Sequence, residues 1–558
     1  MTAELLIGPV LRHVGRTDAT VWVETSVPCT VEILGHGEPT WTVAGHHYAL
    51  VEIAGLAPGS DTRYEVHLDG ERTWPHEGRQ APSYIRTLAD DGAVRLAFGS
   101  CRFATRLAAD QLSRYGVDAL DGLATRMMRQ QPREWPTAML MLGDQVYADH
   151  LSKHMRRRVQ PRRPLGGAPH DQVADFEEYT WLYHESWTDP EVRWLLSNMP
   201  CFMIFDDHDV HDDWNTSDAW RVDMRAKPWW HERITSGLMT YWIYQHIGNL
   251  TPGELANDEL YQQIRTAGGD GERPLREFAA AADEEVDGGR PTRWSYRRDF
   301  GDTRVVVIDS RCGRILDDTR KMVSDNEFDW ITDSCRTDQR HLVLATSVPW
   351  LLAPPLDRLE TLSERLASGD RGPRAQRFGE WARRAADLEH WAAFPESYQR
   401  LSSLVRRVAD GRLAPSGTAP ASVTVLSGDV HHGYAARVHW ADGDPVAPVH
   451  QLTCSPMHNY IPLFMRGVFR ALWSRALHGR PRVGSNDADW TLTDGPFFGN
   501  LVATLRMRRD EASVVIERGH RRGAHIDLYP IAERDLNELS QHAVPWCPEG
   551  GLDGRTAT

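Results

Sequence analysis

The sequence predicts a mixed α/β fold preceded by a small all-β domain, and two observations carry this prediction. Within the first 85 residues, short segments alternate apolar and polar side chains, as in residues 20–24 (TVWVE) and 63–68 (RYEVHL). Alternation of this kind is typical of half-buried strands. From about residue 93, short and fully apolar runs replace it, with helical stretches between them. Such runs predict strands buried on both faces, which requires layers covering both sides of a sheet.

The chain is expected to divide where the pattern changes, because 558 residues exceed the usual size of one domain. The predicted parts are an N-terminal β-sandwich (1–88) that resembles a fibronectin type III module, an α/β domain (93–535) with an insertion (219–293), and a loosely ordered tail (536–558). Within the insertion, the Trp-rich residues 219–248 predict helix. The charged, Gly-rich residues 251–293 lack apolar periodicity and predict a mobile surface segment.

Composition and charge argue against several classes of protein. Acidic residues outnumber basic ones by 78 to 63, so a dedicated nucleic-acid surface is not expected. No apolar run approaches the length of about 18 residues that a membrane span needs, so none is expected. The seven cysteines are scattered without a CxxC pair, and the N-terminus lacks a secretory pattern. Together these features predict a cytoplasmic enzyme, and they leave its oligomeric state open.

One basic segment departs from the acidic background. Residues 153–163 (KHMRRRVQPRR) follow a candidate metal motif directly. They either draw anionic substrates towards a nearby site or form a solvated basic loop, and the sequence favours neither interpretation.

The apolar runs end in polar turns, and this repetition is the strongest functional signal in the sequence. Open α/β folds place their ligand sites where strand ends meet, so we expect these turns to converge along one edge. The runs are residues 94–98, 138–142, 202–205, 305–308, 342–345 and 423–426, and they end in Gly99-Ser100-Cys101, Gly143-Asp144, Asp206-Asp207-His208, Asp309, Thr346-Ser347 and Ser427-Gly428-Asp429.

Residues 143–149 (GDQVYAD) form the first turn with metal chemistry. A carboxylate at Asp144, just past a buried strand, can bridge two cations. Three residues later, Tyr147 can supply a phenolate oxygen to a ferric ion. The GDxxY pattern is weak by itself, because a helix cap or a structural turn explains it equally well.

Residues 206–214 (DDHDVHDDW) form the second and densest cluster, in which seven of nine side chains can bind metal or transfer protons. Five carboxylates this close would repel one another unless cations or arginines offset their charge. A solvated acidic loop is the alternative interpretation.

Residues 427–433 (SGDVHHG) form the third cluster. Asp429 and His431 are two residues apart on an extended turn, so both can point at one ion. By the same alternation, His432 is expected to point away.

The order of these clusters, GD, xxH[DE] and GDxH, resembles the calcineurin-like metallophosphoesterases and, more closely, the PhoD-like alkaline phosphatase family. The resemblance covers roughly residues 5–530 and implies an α+β sandwich of the metallophosphoesterase type. The matching motifs are Phe98-Gly99-Ser100-Cys101, Gly143-Asp144-Gln145-Val146-Tyr147-Ala148-Asp149, Asp206-Asp207-His208-Asp209, Asp309-Ser310-Arg311 and Ser427-Gly428-Asp429-Val430-His431.

The resemblance also implies a role for individual residues. Cys101 stands where the family has a thiolate ligand to ferric iron, and Tyr147 would complete that iron site. Asp144 would bridge the metals, and Asp207 would bind a second, oxygen-preferring ion, for which calcium is expected.

Four further roles follow from the same resemblance. Asp429 and His431 would complete the metal cluster, for which zinc and manganese are alternative ions. His208 would act as the general acid or hold the phosphate. Arg311 would bind a phosphate oxygen with its planar guanidinium.

Three departures from the family pattern affect the expectation. Thr346-Ser347 follows the strand after which the wider superfamily usually has a His. Asp212 and Asp213 stand where the family typically has Asn, which puts the ion on that side in question. No twin-arginine signal precedes the chain's first domain, so an intracellular phosphate ester is the expected substrate.

The sequence therefore predicts metal-dependent hydrolysis of small phosphomonoesters or phosphodiesters. One alternative is a non-hydrolytic metal-binding or regulatory module that retains the fold, although the presence of His208 and Arg311 argues against it. Another is a redox metalloenzyme built on Cys101 and Tyr147, which would consume oxygen rather than release phosphate.

Overall fold

The computed structural model describes residues 2–76, 81–90, 92–104, 115–284, 293–317, 319–367, 379, 389–476, 488–523 and 525–537. The predicted tail at 536–558 therefore lies almost entirely outside the described residues. Among the described helices, none combines the length and the apolar character needed to cross a bilayer.

The N-terminal region is all-β. Its two four-stranded sheets have the orders β1-β2-β6-β5 and β4-β3-β8-β9, and β7 pairs with β10. Buried side chains from both sheets share one apolar core. The strands are β1 (Leu5–Val14), β2 (Asp18–Thr25), β3 (Thr30–Ile33), β4 (His36–Pro39), β5 (Trp41–Val43), β6 (His46–Ala54), β7 (Asp61–Tyr64), β8 (Val66–Leu68), β9 (Glu71–Trp74) and β10 (Ser83–Arg86).

Strand β2 is buried more deeply than its alternating sequence predicts. Val21 and Val23 face the N-terminal core, as expected for a half-buried strand. Trp22 on the opposite face is also buried, because it packs against Trp187 and Tyr244 of the following domain. The two domains thus share an apolar interface that periodicity alone did not reveal.

The α/β domain contains two sheets, in agreement with the α+β sandwich that the resemblance implies. One has the order β13-β12-β11-β21-β22-β23, and the other has the order β14-β15-β16-β17-β19-β18-β20. Strands β11, β12 and β13 are parallel, as are β15, β16, β17 and β19.

All six predicted apolar runs are strands of these sheets. The strands are β11 (Val94–Gly99), β12 (Ala138–Leu142), β13 (Cys201–Ile204), β14 (Tyr296–Phe300), β15 (Thr303–Ile308), β16 (His341–Thr346), β17 (Ser422–Ser427), β18 (Gly433–Trp440), β19 (Val449–Thr453), β20 (Ala488–Phe497), β21 (Leu501–Arg508), β22 (Glu511–Arg522) and β23 (His525–Asp535).

Helices cover the sheets, and most begin at a side chain that caps the first turn. Ser152, Asp175 and Ser324 each accept a backbone N–H in this way. The described helices are α1 (Ala119–Arg129), α2 (Lys153–Val159), α3 (Phe176–Trp187), α4 (Pro190–Asn198), α5 (Asp218–Arg225), α6 (Trp230–Thr240), α7 (Pro252–Asn257), α8 (Glu259–Thr266), α9 (Glu272–Asp283), α10 (Asp325–Ser334), α11 (Pro354–Ala367), α12 (Pro395–Ala409) and α13 (Leu463–Ala476).

The insertion region is more regular than expected. Residues 219–248 are helical, as predicted, and include a π-helical turn at Tyr241–His246. Residues 251–283 were expected to lack regular structure, but they form α7, α8 and α9. Each of these short helices buries a few apolar side chains, which sequence periodicity over so few turns does not reveal.

Candidate metal centre

The polar turns meet between the two sheets, at the ends of their central parallel strands. Cys101 follows β11, and its backbone N–H donates to the carbonyl oxygen of Gly143, which follows β12 (3.2 Å). The second sheet joins them where the backbone N–H of Asp429, after β17, donates to Ser100 Oγ (3.0 Å). The predicted convergence is therefore confirmed, although the edge belongs to two sheets.

Four site residues adopt a left-handed backbone conformation that non-glycine residues rarely take. The φ angles are 57° at Cys101, 52° at Asp144, 65° at Asp429 and 53° at His431. Each such residue costs about 1–3 kcal/mol, and this strain is tolerated where the surroundings enforce it, as at functional sites. All four of these strained residues are predicted ligands, which supports a common functional role for the turns that contain them.

Carboxylates and one imidazole form two overlapping groups at this point. Ligand atoms of Asp144, Asp207 and His208 lie within 4.8 Å of one another, as do those of Asp206, Asp207 and Asp429. Asp207 belongs to both groups and so links them. Each group is a candidate site for a cation.

The buried carboxylates lack the hydrogen bonds that would satisfy them without a cation. Asp144 Oδ1 and Asp206 Oδ2 are inaccessible to solvent and have no hydrogen-bond partner among the described residues. Burial raises the pKa of Asp144, Asp206 and Asp207, and the repulsion between neighbouring carboxylates adds to this rise. Oxygen-preferring cations would supply the missing partners, so the donor set fits metal binding.

Cys101 and Tyr147 lie beside these groups rather than within them. The Cys101 sulfur is buried, 3.2 Å from Ser455 Oγ, and burial together with the charges of Asp144 and Asp429 raises the pKa of the thiol well above its usual range. The Tyr147 hydroxyl lies 3.4 Å from Asp144 Oδ2. A thiolate and a phenolate at these positions would each require a nearby cation to form.

His431 is brought to the same side as Tyr147. Asn459 Nδ2 donates to the Tyr147 hydroxyl (2.7 Å) and lies 3.4 Å from His431 Nε2. Burial lowers the pKa of His431 to about 4, which keeps the imidazole neutral, as a metal ligand must be. His432 points away, as predicted, because its Nδ1 bonds to the Val430 carbonyl and its Nε2 accepts from Trp473.

His208 is held by Asp149, the last residue of the first motif. Its Nδ1 lies 2.8 Å from Asp149 Oδ2, and the imidazole packs on the Tyr147 ring with centroids 4.7 Å apart. Burial alone would lower the pKa of His208, but the charges of Asp149 and Asp207 and the hydrogen bond to Asp149 raise it well above its usual range. This side chain is about 25% exposed, more than the carboxylates around it.

Arg311 is more enclosed than a phosphate-binding role suggests. Its guanidinium is fully buried and ion-paired with Asp206, with Asp207 Oδ1 (3.2 Å) and with Glu389 Oε2 (2.6 Å). These carboxylates occupy the fork that was expected to hold a phosphate oxygen. The phosphate-binding role of Arg311 therefore stays a prediction.

The family assignment follows from a comparison of the whole chain with known families. The family described as PhoD-like phosphatase matches residues 121–462, which is more than half of the chain. The chain belongs to the PhoD-like phosphatase family. The matched segment contains every predicted site residue except Cys101, whose assignment as a ligand rests on the motif resemblance alone.

Structural comparison agrees with this assignment at the level of the fold. A solved structure titled "Structure of PhoD" matches with a TM-score of 0.56 and 11% identity, over 97% of this chain and 93% of that chain. A purple acid phosphatase from yellow lupin seeds matches with a TM-score of 0.45 and 11% identity, over 98% and 77% of the two chains. No curated protein matches the sequence. A family described as a domain of unknown function (DUF7800) matches residues 2–85, which correspond to the N-terminal all-β region.

Within this PhoD-like domain, Asp209 connects the turn after β12 with the turn after β13 rather than acting as a metal ligand. Its Oδ2 accepts the backbone N–H groups of Asp144 and Asp206 (both 2.9 Å), and its Oδ1 accepts those of Gln145 and Val146 (both 3.2 Å). The dense acidic cluster therefore contains at least one structural carboxylate. Sequence reasoning could not separate Asp209 from the ligands, because both roles favour the same side chain.

Asp309 also has a structural role. Its carboxylate accepts the backbone N–H groups of Arg311, Cys312 and Gly313 at 2.8–3.1 Å, which fixes the turn after β15. Asp212 and Asp213 contribute through their main chains, since their N–H groups donate to Asp149 Oδ2 (2.7 Å) and Asp207 Oδ2 (3.1 Å).

Much of the basic segment 153–163 forms helix α2, and several of its arginines are already paired. The interactions are Arg156–Asp171 (2.8 Å), Arg158 over the Trp181 ring (4.2 Å), Arg162–Asp175 (2.5 Å) and Arg163–Glu178 (2.8 Å). These contacts favour the structural interpretation of the segment over a role in attracting anionic substrates.

Proposed function

We propose that this member of the PhoD-like phosphatase family hydrolyses small phosphate esters with a cation-dependent site. One observation carries the proposal: the buried carboxylates Asp144 and Asp206, which each group with Asp207, have an oxygen atom that lacks a hydrogen-bond partner among the described residues. Cations bound there would neutralise the phosphate oxygens and lower the pKa of a bound water molecule.

The proposed ligands divide according to donor chemistry. Asp144, Asp207, Asp429 and His431 would hold the cations. The resemblance gives the shared position to Asp144, whereas Asp207 is the carboxylate common to both candidate groups. Cys101 and Tyr147 supply a thiolate and a phenolate, which suit ferric iron. The oxygen-rich side around Asp207 suits calcium, with manganese or zinc as alternatives.

The protein's own groups have two further tasks in this mechanism. His208, oriented by Asp149, donates a proton to the departing alkoxide. Its partial exposure supports this role, because a substrate has to reach the proton donor. Arg311 offsets the negative charge of the phosphate, either directly or through the carboxylates that it holds.

The test combines elemental analysis of the purified protein with assays on mono- and bis-p-nitrophenyl phosphate. We expect stoichiometric metal, hydrolysis of at least one substrate, and loss of at least 100-fold in kcat/KM in Asp144→Asn. The control is Asp442→Asn, which should leave activity unchanged, because this exposed carboxylate pairs with Arg406 and belongs to neither candidate cation group. Folded protein that holds no metal and hydrolyses neither substrate would contradict the proposal.

One observation favours the alternative of a non-hydrolytic metal-binding module. Arg311 is enclosed by three carboxylates and is not presented to a substrate. The assays distinguish the two functions, because the module would bind metal with high affinity and release neither phosphate nor p-nitrophenol. Oxygen consumption in place of ester cleavage would instead indicate the redox alternative.

Several finer features stay predictions. These are the domain limits 1–88, 93–535, 219–293 and 536–558, the likeness of the N-terminal region to fibronectin type III, and a cytoplasmic location. The insertion helices are proposed to shape the substrate pocket, and comparison of the mono- and diester rates tests whether they leave room for a second alcohol group.

A further inference from the structure

A segment distant in sequence from all the metal motifs lies against the metal centre. Trp391 Nε1 donates to Thr346 Oγ1 at the end of β16 (3.3 Å). Glu389 Oε2 pairs with Arg311 Nη1 (2.6 Å) and lies 3.4 Å from Arg314 Nη1. Between these anchors, His390 is directed at Asp429. The segment lies outside all the sequence motifs that predict the metal centre.

His390 bridges two carboxylates. Its Nε2 lies 3.0 Å from Asp429 Oδ2, and its Nδ1 lies 2.5 Å from Glu360 Oε1 in α11. The backbone N–H of His390 also donates to Glu360 Oε1 (3.4 Å). Both the imidazole and Glu360 are almost entirely buried, with side chains 8% and 1% exposed. An ionised carboxylate can only accept hydrogen bonds, so Nε2 donates to Asp429, and the contact of Nδ1 with Glu360 holds the ring in this orientation.

This bridge completes the support of Asp429. The backbone N–H of Asp429 is held by Ser100, and its carbonyl oxygen accepts from Ser455 Oγ (3.4 Å). Its backbone is strained, with φ of 65°. With Oδ2 held by His390, the carboxylate has little freedom to rotate about its last bond. The group of Asp206, Asp207 and Asp429 oxygens therefore depends on His390 for its shape.

We propose that Glu360 and His390 form a positioning pair that fixes the Asp429 carboxylate for metal binding; this inference rests on the proposed cation-dependent site. Carboxylates that bind metals are commonly oriented by a second layer of hydrogen bonds, and loss of such a partner typically costs 10- to 100-fold in metal affinity. His390 also supplies an imidazole at a site where Thr346 replaces the His that was expected after β16.

The test measures metal affinity separately from activity, in the full-length chain. Metal-stripped wild type, His390→Leu, His390→Gln and Glu360→Gln are titrated with Ca²⁺ and with Mn²⁺ as the metals alone. We expect the dissociation constant of the metal to rise 10- to 100-fold in His390→Leu and by a smaller factor in Glu360→Gln. Glutamine keeps an N–H donor, so His390→Gln should recover most of the affinity.

A matched control exists at the domain interface. His46 also bridges two carboxylates, Glu24 (3.0 Å) and Glu177 (2.8 Å), but contacts none of the proposed ligands in the described structure. His46→Leu removes the same kind of bridge and should leave both dissociation constants within about twofold of wild type. Circular dichroism establishes that each variant is folded, and Glu360→Gln provides the decisive comparison where His390→Leu does not fold.

The outcomes separate the two proposals. One outcome would overturn the positioning role but not the proposed metal centre. In that outcome, His390→Leu and Glu360→Gln are folded and bind metal as wild type does, whereas Asp429→Asn has lost metal binding. Equal losses in His390→Leu and His390→Gln, with Glu360→Gln unaffected, would also overturn the positioning role. A wild-type protein that binds neither ion and hydrolyses no ester would instead refute the proposed function on which the inference rests.

Discussion

Asp209→Asn offers a direct test of how the metal turns are held together. The carboxylate of Asp209 is 4% exposed and accepts four backbone N–H groups, two on each oxygen. An asparagine side chain keeps one acceptor oxygen and turns the other into an N–H₂ group, which would face two N–H donors. At least two of the four hydrogen bonds are then lost.

The expected magnitude follows from the strength of these bonds. A hydrogen bond to a charged group contributes about 1.5–3 kcal/mol, so losing two should destabilise the fold by about 3–6 kcal/mol. Which pair is lost depends on the rotation of the amide. In either case the turn after β12 loses at least one hydrogen bond to residue 209, because both oxygens bind N–H groups within residues 144–146.

The assay has a global and a local part. Urea unfolding followed by circular dichroism measures the loss of stability, and hydrogen exchange of peptides containing residues 144–146 and 206 reports on the two turns. We expect faster exchange in these peptides and weaker metal retention, with the exposed Asp442→Asn as control. A decrease of less than about 1 kcal/mol in the free energy of unfolding, or unchanged hydrogen exchange at residues 144–146, would show that Asp209 does not hold the two turns together.

The remaining predictions concern pH, packing and metal. The charges and hydrogen bonds of Glu177 and Glu24 outweigh burial and raise the pKa of His46 from 6.5 to about 9. This bridge should therefore contribute its full stability below about pH 6.5 and lose it as the pH rises through about 9. Because Glu177 is 40% exposed, solvent screening reduces the effect to roughly 1–2 kcal/mol, which unfolding of wild type and His46→Leu at pH 6 and pH 10 should reveal as a difference at pH 6 only. Gly143→Ala places a methyl group against the Asp206 side chain at φ of 100°, so we expect destabilisation of about 2–4 kcal/mol and weaker metal binding. Gly253→Ala, in helix α7 with open space around it, should be neutral or stabilise the fold by under about 1 kcal/mol. Chelation should lower the unfolding temperature, since a cation at 100 times its dissociation constant contributes about 2.7 kcal/mol, and a wild-type melting curve unchanged by chelator and by added metal would contradict this.

The strands and their terminal motifs could be predicted because their signals are local. A fully apolar run followed by Gly and Asp indicates a buried strand and a polar turn within ten residues of sequence, as at Gly143-Asp144 and Gly428-Asp429.

The short helices of the insertion and the second sheet were not predictable in this way. Helices α7, α8 and α9 bury few side chains each, so their periodicity is too brief to recognise. The grouping of strands into two sheets depends on pairings between distant segments, such as β11 with β21, which no local pattern specifies.

By itself, the sequence determined where candidate site residues lie along the chain: Asp144, Asp207, His208, Asp429 and His431 each follow a strand whose apolar pattern fixes its burial. Only the tertiary structure decided what those residues contact. Asp209 proved to be a clamp, Arg311 a buried counter-ion, and His390 a partner of Asp429. The physical reason is that carboxylates serve equally well as ligands, caps and ion-pair partners, so their roles depend on donors supplied by distant parts of the chain.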